Sequence, residues 1–195
     1  MNKSRLEAFS DGVFAIIITI MVLELKIPHG AEFKALLPVL PVFFSYILSF
    51  IFLGIYWSNH HHMLHTVKHV TGGILWANLH LLFWLSLFPF VTGWMGENYL
   101  TSATLALYGT VLFFAAGAYY ILQNVIIKSQ GKDSVLAKAI GTDIKGKASP
   151  ILYVAGIASA YVSPLLAESL YILVALIWLI PDKRIERMLL TERTG

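Results

Sequence analysis

The sequence predicts an all-α integral membrane protein with six transmembrane helices per subunit, and three observations carry that prediction. Of its 195 residues 57% are hydrophobic and only 13% charged, whereas soluble domains carry charge on about a quarter of their residues. The charges cluster between long uncharged stretches, and a spanning helix needs about 20 mostly apolar residues to cross a hydrocarbon core roughly 30 Å thick. Finally, twelve of the fourteen Lys and Arg fall on one side of the layer if the chain crosses it six times, with only Lys26 and Lys34 opposite. An odd number of crossings spoils that separation.

The apolar runs place the helices at 9–27, 36–57, 74–94, 103–127, 149–162 and 164–180. Lys3 and Arg5 ahead of the first run also suit a secretory signal, but no small-residue cleavage site follows, and Glu24 and Lys26 stand where the chain leaves the membrane. The fifth and sixth runs are short. Ser149 before Pro150 and Ser163 before Pro164 each read as an N-cap serine with proline at the first helical position, where the missing N–H costs nothing. Two short helices in a tight hairpin are therefore expected, needing local thinning of the bilayer or shielding by neighbours. The stretch 129–147 is the one substantial loop, its lysines spaced through small residues. It reads as a solvated segment that sets topology and touches anionic lipid.

Positive charge stays on the cytoplasmic side of a membrane protein, so both termini are expected in the cytoplasm and residues 1–195 form a single transmembrane domain. The same rule accounts for the pI near 9.1 without nucleic acid. With no cysteine, disulfides, thiolate metal sites and cysteine nucleophiles are excluded.

The first helix is the informative one. Arg5, Phe9, Ser10, Asp11 and Gly12 crowd polar groups onto the start of the most apolar helix. An ion costs about 2.5–3.5 kcal/mol at mid-membrane, so these groups face protein or water, unless Asp11 simply favours the positive end of the helix dipole. Further along, at about 100° per residue, Ile16, Thr19, Ile20 and Leu23 fall on one narrow stripe and Asp11 lies on roughly the opposite side. Copies of that stripe around an axis make rings of branched side chains that close a water path by dewetting. Ordinary helix packing gives the same pattern. Arg5 extends the stripe, where a ring of cations repels permeant cations, so it either pairs with Glu7 or Asp11 or the helix is irregular there.

Arg5, three residues, then Phe9, Ser10 and Asp11 at the start of the first of six helices resembles the transmembrane protein 175 family of potassium channels, in its prokaryotic single-repeat form. The resemblance implies a homotetramer in a prokaryotic cell membrane, in contact with membrane lipid. It implies a pore on the fourfold axis, lined by first helices, that passes potassium in modest preference to sodium and uses potassium as permeant species rather than cofactor. By position Ile16 becomes the constriction and gate, Thr19 the polar ring linked to potassium preference, and Leu23 a further apolar ring; Ile20 joins them from the stripe. Arg5, Phe9, Ser10 and Asp11 become a polar network holding the helix, with Trp57 and His60 or His61 as partners and a histidine pair hydrogen-bonded to Asp11. Asn78 and His80 are further polar candidates.

The histidine run at 60–62, with His65 beyond, could suit zinc or copper, but no nearby carboxylate or cysteine completes a ligand set, and no metal is expected. No run like TVGYG and no arginine-rich helix occurs, so neither a carbonyl filter nor a voltage sensor is expected. The alternative is a proton- or cation-coupled secondary transporter using Asp11. Transporters place polar groups near the bilayer midplane on broken helices, whereas here the middle of the first helix offers only Thr19. An enzyme needs a nucleophile and base within reach, and no such spacing stands out.

Overall fold

The computed structural model describes residues 2–131, 133–140 and 143–179. They form helices α1 (Lys3–Leu23), α2 (Leu40–His65, entered through a 3₁₀ segment, Phe33–Val39), α3 (Gly72–Ser86), α4 (Phe88–Glu97), α5 (Ser102–Gln130), α6 (Val135–Ile140), α7 (Ile144–Ser159) and α8 (Pro164–Leu179). Four units are long and apolar enough to cross a membrane: α1, α2 with its lead-in, α3 with α4, and α5; α8 is a shorter apolar helix. Residue 180 of the expected sixth span, Lys132 and the four basic residues of the tail lie outside the described residues.

The helix ends differ from the apolar runs for identifiable reasons. The first helix starts at Lys3 rather than 9, capped by Asn2, whose side chain accepts from the Ser4 amide. Its first turns need not be apolar because a polar scaffold surrounds them. The second runs to His65 rather than 57, so the histidines are helical. The third unit is interrupted at Leu87, where Pro89 cannot donate to the Leu85 carbonyl. A correction applies to the fifth. Ser149 is not its N-cap; the helix begins at Ile144, where the Asp143 side chain accepts from the Gly146 amide at 3.2 Å, and Pro150 lies inside it. Ser149 instead donates to the Lys145 carbonyl and accepts from the Trp178 indole. The sixth starts at Pro164, with Ser163 Oγ accepting from the Leu166 amide. The 129–147 segment holds α6, which buries Val135, Leu136 and Ala139.

Helix α5 is the hub, packing on α3, α4, α7 and α8, while α1 lies at one edge against α2, α3 and α4. The distribution of polarity is that of a protein dissolved in lipid. Buried positions include Ser10, Ser45, Ser49, His60, Asn78, Thr92, Thr104, Gln123 and Glu168, whereas Phe44, Phe83, Phe90, Leu165 and Leu176 are exposed. Lipid tails are as apolar as leucine, so close packing and interhelical hydrogen bonds hold such a bundle together. The junction of α5, α7 and α8 shows both. Tyr171 donates to the Leu105 carbonyl at 3.1 Å, and its ring lies where a Cβ on Gly109 or Gly156 would stand. Gly156→Ala is therefore expected to lower stability by about 1–3 kcal/mol, the usual cost of overpacking, read as an earlier loss of the monodisperse peak on heating in detergent.

Candidate ion pathway and its polar scaffold

Helix α1 has two faces with opposite destinations. Leu6, Ser10, Phe14, Ile17 and Met21 recur every three or four residues and are buried within the subunit. Ile16, Ile20 and Leu23 are 60%, 42% and 75% exposed. Thr19 is exposed beside them, its hydroxyl donating to the Ala15 carbonyl at 2.8 Å. Its oxygen lone pairs thus remain presented on an otherwise aliphatic stripe. Phe9 and Arg5 are exposed too. Arg5 forms no ion pair with Glu7, Asp11 or any other carboxylate among the described residues, and the helix is regular through it.

The first scaffold lies beneath Ser10. Asn78 of α3 donates from Nδ2 to Ser10 Oγ at 3.0 Å, and its Oδ1 lies 2.7 Å from His60 Nε2 of α2. An amide oxygen can only accept, so His60 Nε2 carries the proton. All three residues are at most 1% exposed. The Ser10 hydroxyl donates to the Leu6 carbonyl, and Phe14 packs its ring 5.7 Å from that of His60. One asparagine thereby fastens α1 to α2 and α3.

The second scaffold is a seam at the end of the bundle that carries the N-terminus. Lys3, Glu7 and Asp11 follow one another at intervals of four on α1, and Trp57, His61 and His65 do the same on antiparallel α2. The Trp57 indole donates to Asp11 Oδ1 at 3.0 Å. His65 Nδ1 stands 3.7 Å and Lys3 Nζ 3.8 Å from Glu7 Oε1, and Lys3 Nζ donates to the His65 carbonyl. His61 stacks between Trp57 and His65, at 6.1 and 5.2 Å.

These contacts correct the expected histidine pair on Asp11. The Asp11 bond goes to Trp57, His60 turns inward to Asn78, and His61 contributes by stacking. Neither His60 nor His61 is hydrogen-bonded to Asp11 among the described residues. His80 accepts from the Trp84 indole on its own helix. The meeting of Lys3, Glu7 and His65 was not foreseen in the sequence, although the spacing of four along each helix is readable there.

A third polar chain, unforeseen in the sequence, crosses the core. Thr92 of α4 donates to Ser49 of α2 at 2.7 Å, Ser49 meets the Tyr108 hydroxyl of α5 at 3.0 Å, and the Thr92 hydroxyl touches the Met21 sulfur of α1. At the far end of the bundle Lys26 pairs with Glu97. That carboxylate accepts a hydrogen bond from the ammonium and holds its pKa above the ordinary 10.5, so Lys26 stays charged throughout the physiological range.

An edge helix with an aliphatic outer stripe, fastened from behind by buried hydrogen bonds to other apolar helices, is the architecture of a multi-pass membrane protein. Residues 5–89 match the family model described as "Endosomal/lysosomal potassium channel TMEM175". A potassium channel of Chryseobacterium sp. (strain P1-3) is 58% identical over 189 residues, 97% of this chain and 98% of that one. The crystal structure of a lysosomal potassium-selective channel TMEM175 homolog from Chamaesiphon minutus superimposes with a TM-score of 0.76 at 26% identity, covering 92% of this chain and 97% of that one. The endosomal/lysosomal proton channel TMEM175 of Gallus gallus is 34% identical over 83 residues, only 17% of its length. The chain belongs to the TMEM175 family of ion channels.

Proposed function

We propose that residues 1–195 form one six-span subunit of a homotetrameric potassium channel of a prokaryotic cell membrane, both termini cytoplasmic, with α1 from each subunit lining the pore. Ile16, Ile20 and Leu23 then form aliphatic rings that close the water path, Ile16 the narrowest, and Thr19 supplies the polar ring that favours potassium modestly over sodium. The observation that carries this reading is the two-faced α1: the stripe is turned away from its own subunit's core while Leu6, Ser10, Phe14, Ile17 and Met21 are turned into it. An aliphatic constriction admits ions only when wetted, which suits a pore without a carbonyl filter.

In this reading Asn78, His60 and Ser10, with the Asp11–Trp57 bond, hold α1 at a fixed angle to the axis. The coupled transporter remains the rival. Purified protein in liposomes is expected to pass potassium down its gradient with no second ion gradient imposed; flux that requires an imposed proton or sodium gradient would favour the transporter. In the same liposomes, Thr19→Val removes the stripe's polar atom while keeping its shape. It is expected to move the reversal potential in mixed potassium and sodium toward that of a non-selective pore, and an unmoved potential removes Thr19 from selectivity.

A further inference from the structure

Two polar side chains stand on the outside of the subunit within apolar spans, each with a hydrogen-bonding atom unused. His80 of α3 is exposed, and its Nε2 accepts from the Trp84 indole. An indole N–H can only donate, so the neutral imidazole carries its proton on Nδ1, which has no acceptor among the described residues. Asp11 of α1 is exposed as well, and its one hydrogen-bond partner there is the Trp57 indole, held on Oδ1. Ionisable residues in spanning helices face the bundle interior or pair with one another, because lipid offers no partner.

Within one subunit the two cannot meet. At about 100° per residue, His80 stands roughly 200° round α3 from Asn78, whose amide reaches α1 and α2, so His80 faces away from both. Between subunits their heights agree. Ser10 and Asn78 are bonded, and α1 and α3 both start at the end of the bundle that carries the N-terminus. Asp11 is one residue beyond Ser10 and His80 two beyond Asn78, a difference of about 1.5 Å along the helices. Rotation about an axis normal to the membrane keeps every atom at its height.

A closed ring of more than two subunits brings together two different flanks of each. With Ile16 pointing to the axis, Ser10, which meets α3, stands about 120° to one side, and Asp11, which meets α2, about 140° to the other. The α3 flank of one subunit therefore meets the α2 flank of the next. Their shapes suit. Trp76, Leu79 and Phe83 stand exposed on α3, Trp76 by 75%. Ser4, Ala8, Gly12 and Ala15 are exposed on the α1 side that adjoins α2, and small residues let helices approach closely in lipid.

On the reading that α1 lines a central pore, we propose that the α3 flank of each subunit docks on the α1–α2 flank of its neighbour, with His80 Nδ1 donating to the neighbour's Asp11 carboxylate. Asp11 then serves two subunits, receiving Trp57 from its own and His80 from the next. Counted from the Ser10–Asn78 bond, Ala8 is level with Trp76 and Ala15 with Phe83, so these pairs lie across the contact.

The chain has no cysteine, so introduced thiols report the contact without background. Full-length protein in its membranes is oxidised with copper phenanthroline and run on non-reducing gels. Ala15→Cys combined with Phe83→Cys is expected to give a ladder from dimer to tetramer, because each subunit then carries a thiol on both flanks. Ala8→Cys with Trp76→Cys should do the same and decides if the first pair fails to fold. Each of these changes made singly should leave the chain monomeric. Leu23→Cys tests the pore separately, since one thiol per subunit about an axis gives dimers and nothing larger. Leu23→Cys dimers without a ladder from either pair would overturn the docking and leave the pore standing; neither dimers nor a ladder would remove both. His80→Phe and Asp11→Asn, which keeps the oxygen that Trp57 needs, are each expected to lower the tetramer surviving a fixed heating step about threefold, the worth of an average interhelical hydrogen bond. The double variant should lose no more than either alone. Losses that add would overturn the bond between His80 and Asp11.

Discussion

Ile16→Asn is expected to raise potassium flux through the assembled protein about tenfold, while the same change one residue later, Ile17→Asn, is expected to cost folded protein. The two positions are neighbours in sequence and opposites in environment, at 60% and 3% exposed. If α1 lines a fourfold pore as proposed, the barrier at its ring of four Ile16 side chains is that of keeping water and an ion between apolar surfaces. A tenfold rise requires about 1.4 kcal/mol off that barrier. Four amides supply it at about 0.35 kcal/mol each, a small part of the 2–7 kcal/mol by which an amide prefers water to an apolar surround. At Ile17 the amide enters the core beside Phe14 and Met21, where no partner waits, and that transfer cost works against folding. Potassium-selective electrode traces from liposomes of matched protein content give the first outcome, and the yield of monodisperse protein gives the second. An Ile16→Asn protein with native flux would place the narrow point elsewhere; an Ile17→Asn protein that folds and leaks would mean that α1 is turned the other way.

What made α1 readable is a periodicity that survives in one dimension. A helix with one face against its own subunit repeats every 3.6 residues, so the angular separation of Ile16, Thr19, Ile20 and Leu23 from Ser10, Phe14 and Ile17 is already present in the residue order. The apolar spans are readable for a similar reason, because bilayer thickness sets their length. Helix ends obey no such rule. The α1 start at Lys3 and the α2 end at His65 lie in polar sequence, held by contacts across the seam from Lys3 to His65 and from Asp11 to Trp57. Pro150 misled because a proline at the first helical position and one a turn and a half inside look alike until the Asp143 cap is seen.

The partners of the network were harder still. His60, His61 and His62 are equivalent as letters, yet at about 100° apart on α2 they have different neighbours: His60 meets Asn78 and Phe14, His61 packs on Trp57 and His65, and His62 meets only the edge of the His61 ring among the described aromatic contacts. Choosing among them requires the crossing angle of α1, α2 and α3, which depends on the packing of all three. The Thr92–Ser49–Tyr108 chain shows the same limit, joining residues 43 and 59 positions apart in sequence. Nothing local marks Ser49 as different from the serine at 45.

Asn78→Leu is expected to lower the stability of the assembled protein by about 2–3 kcal/mol, and a second change, His60→Phe, is expected to return part of that loss. The substitution keeps bulk but removes both of the amide's contacts, leaving the buried His60 Nε2 proton without an acceptor and Ser10 Oγ without a donor. An orphaned buried polar group costs about 1–3 kcal/mol in proteins generally. Interhelical hydrogen bonds in membranes average only about 0.6 kcal/mol by double-mutant cycles, because separated helices in lipid find other partners. Two bonds at that average give little more than 1 kcal/mol, so the larger figure rests on the imidazole, which is 1% exposed and is hemmed in by Phe14 and the α1–α2 contact. Removing its proton with His60→Phe abolishes the orphan while preserving a ring against Phe14. A gain in the double variant over Asn78→Leu alone therefore separates the cost of the unpaired group from loss of packing. The measurement is the temperature at which half of the protein leaves the assembled peak in detergent, together with potassium flux in liposomes, since in the proposed pore an α1 released from α2 and α3 no longer holds Ile16 at a fixed distance from the axis. Unchanged stability in Asn78→Leu would make this network a bystander, and a double variant weaker than either single one would mean that His60 has a second partner.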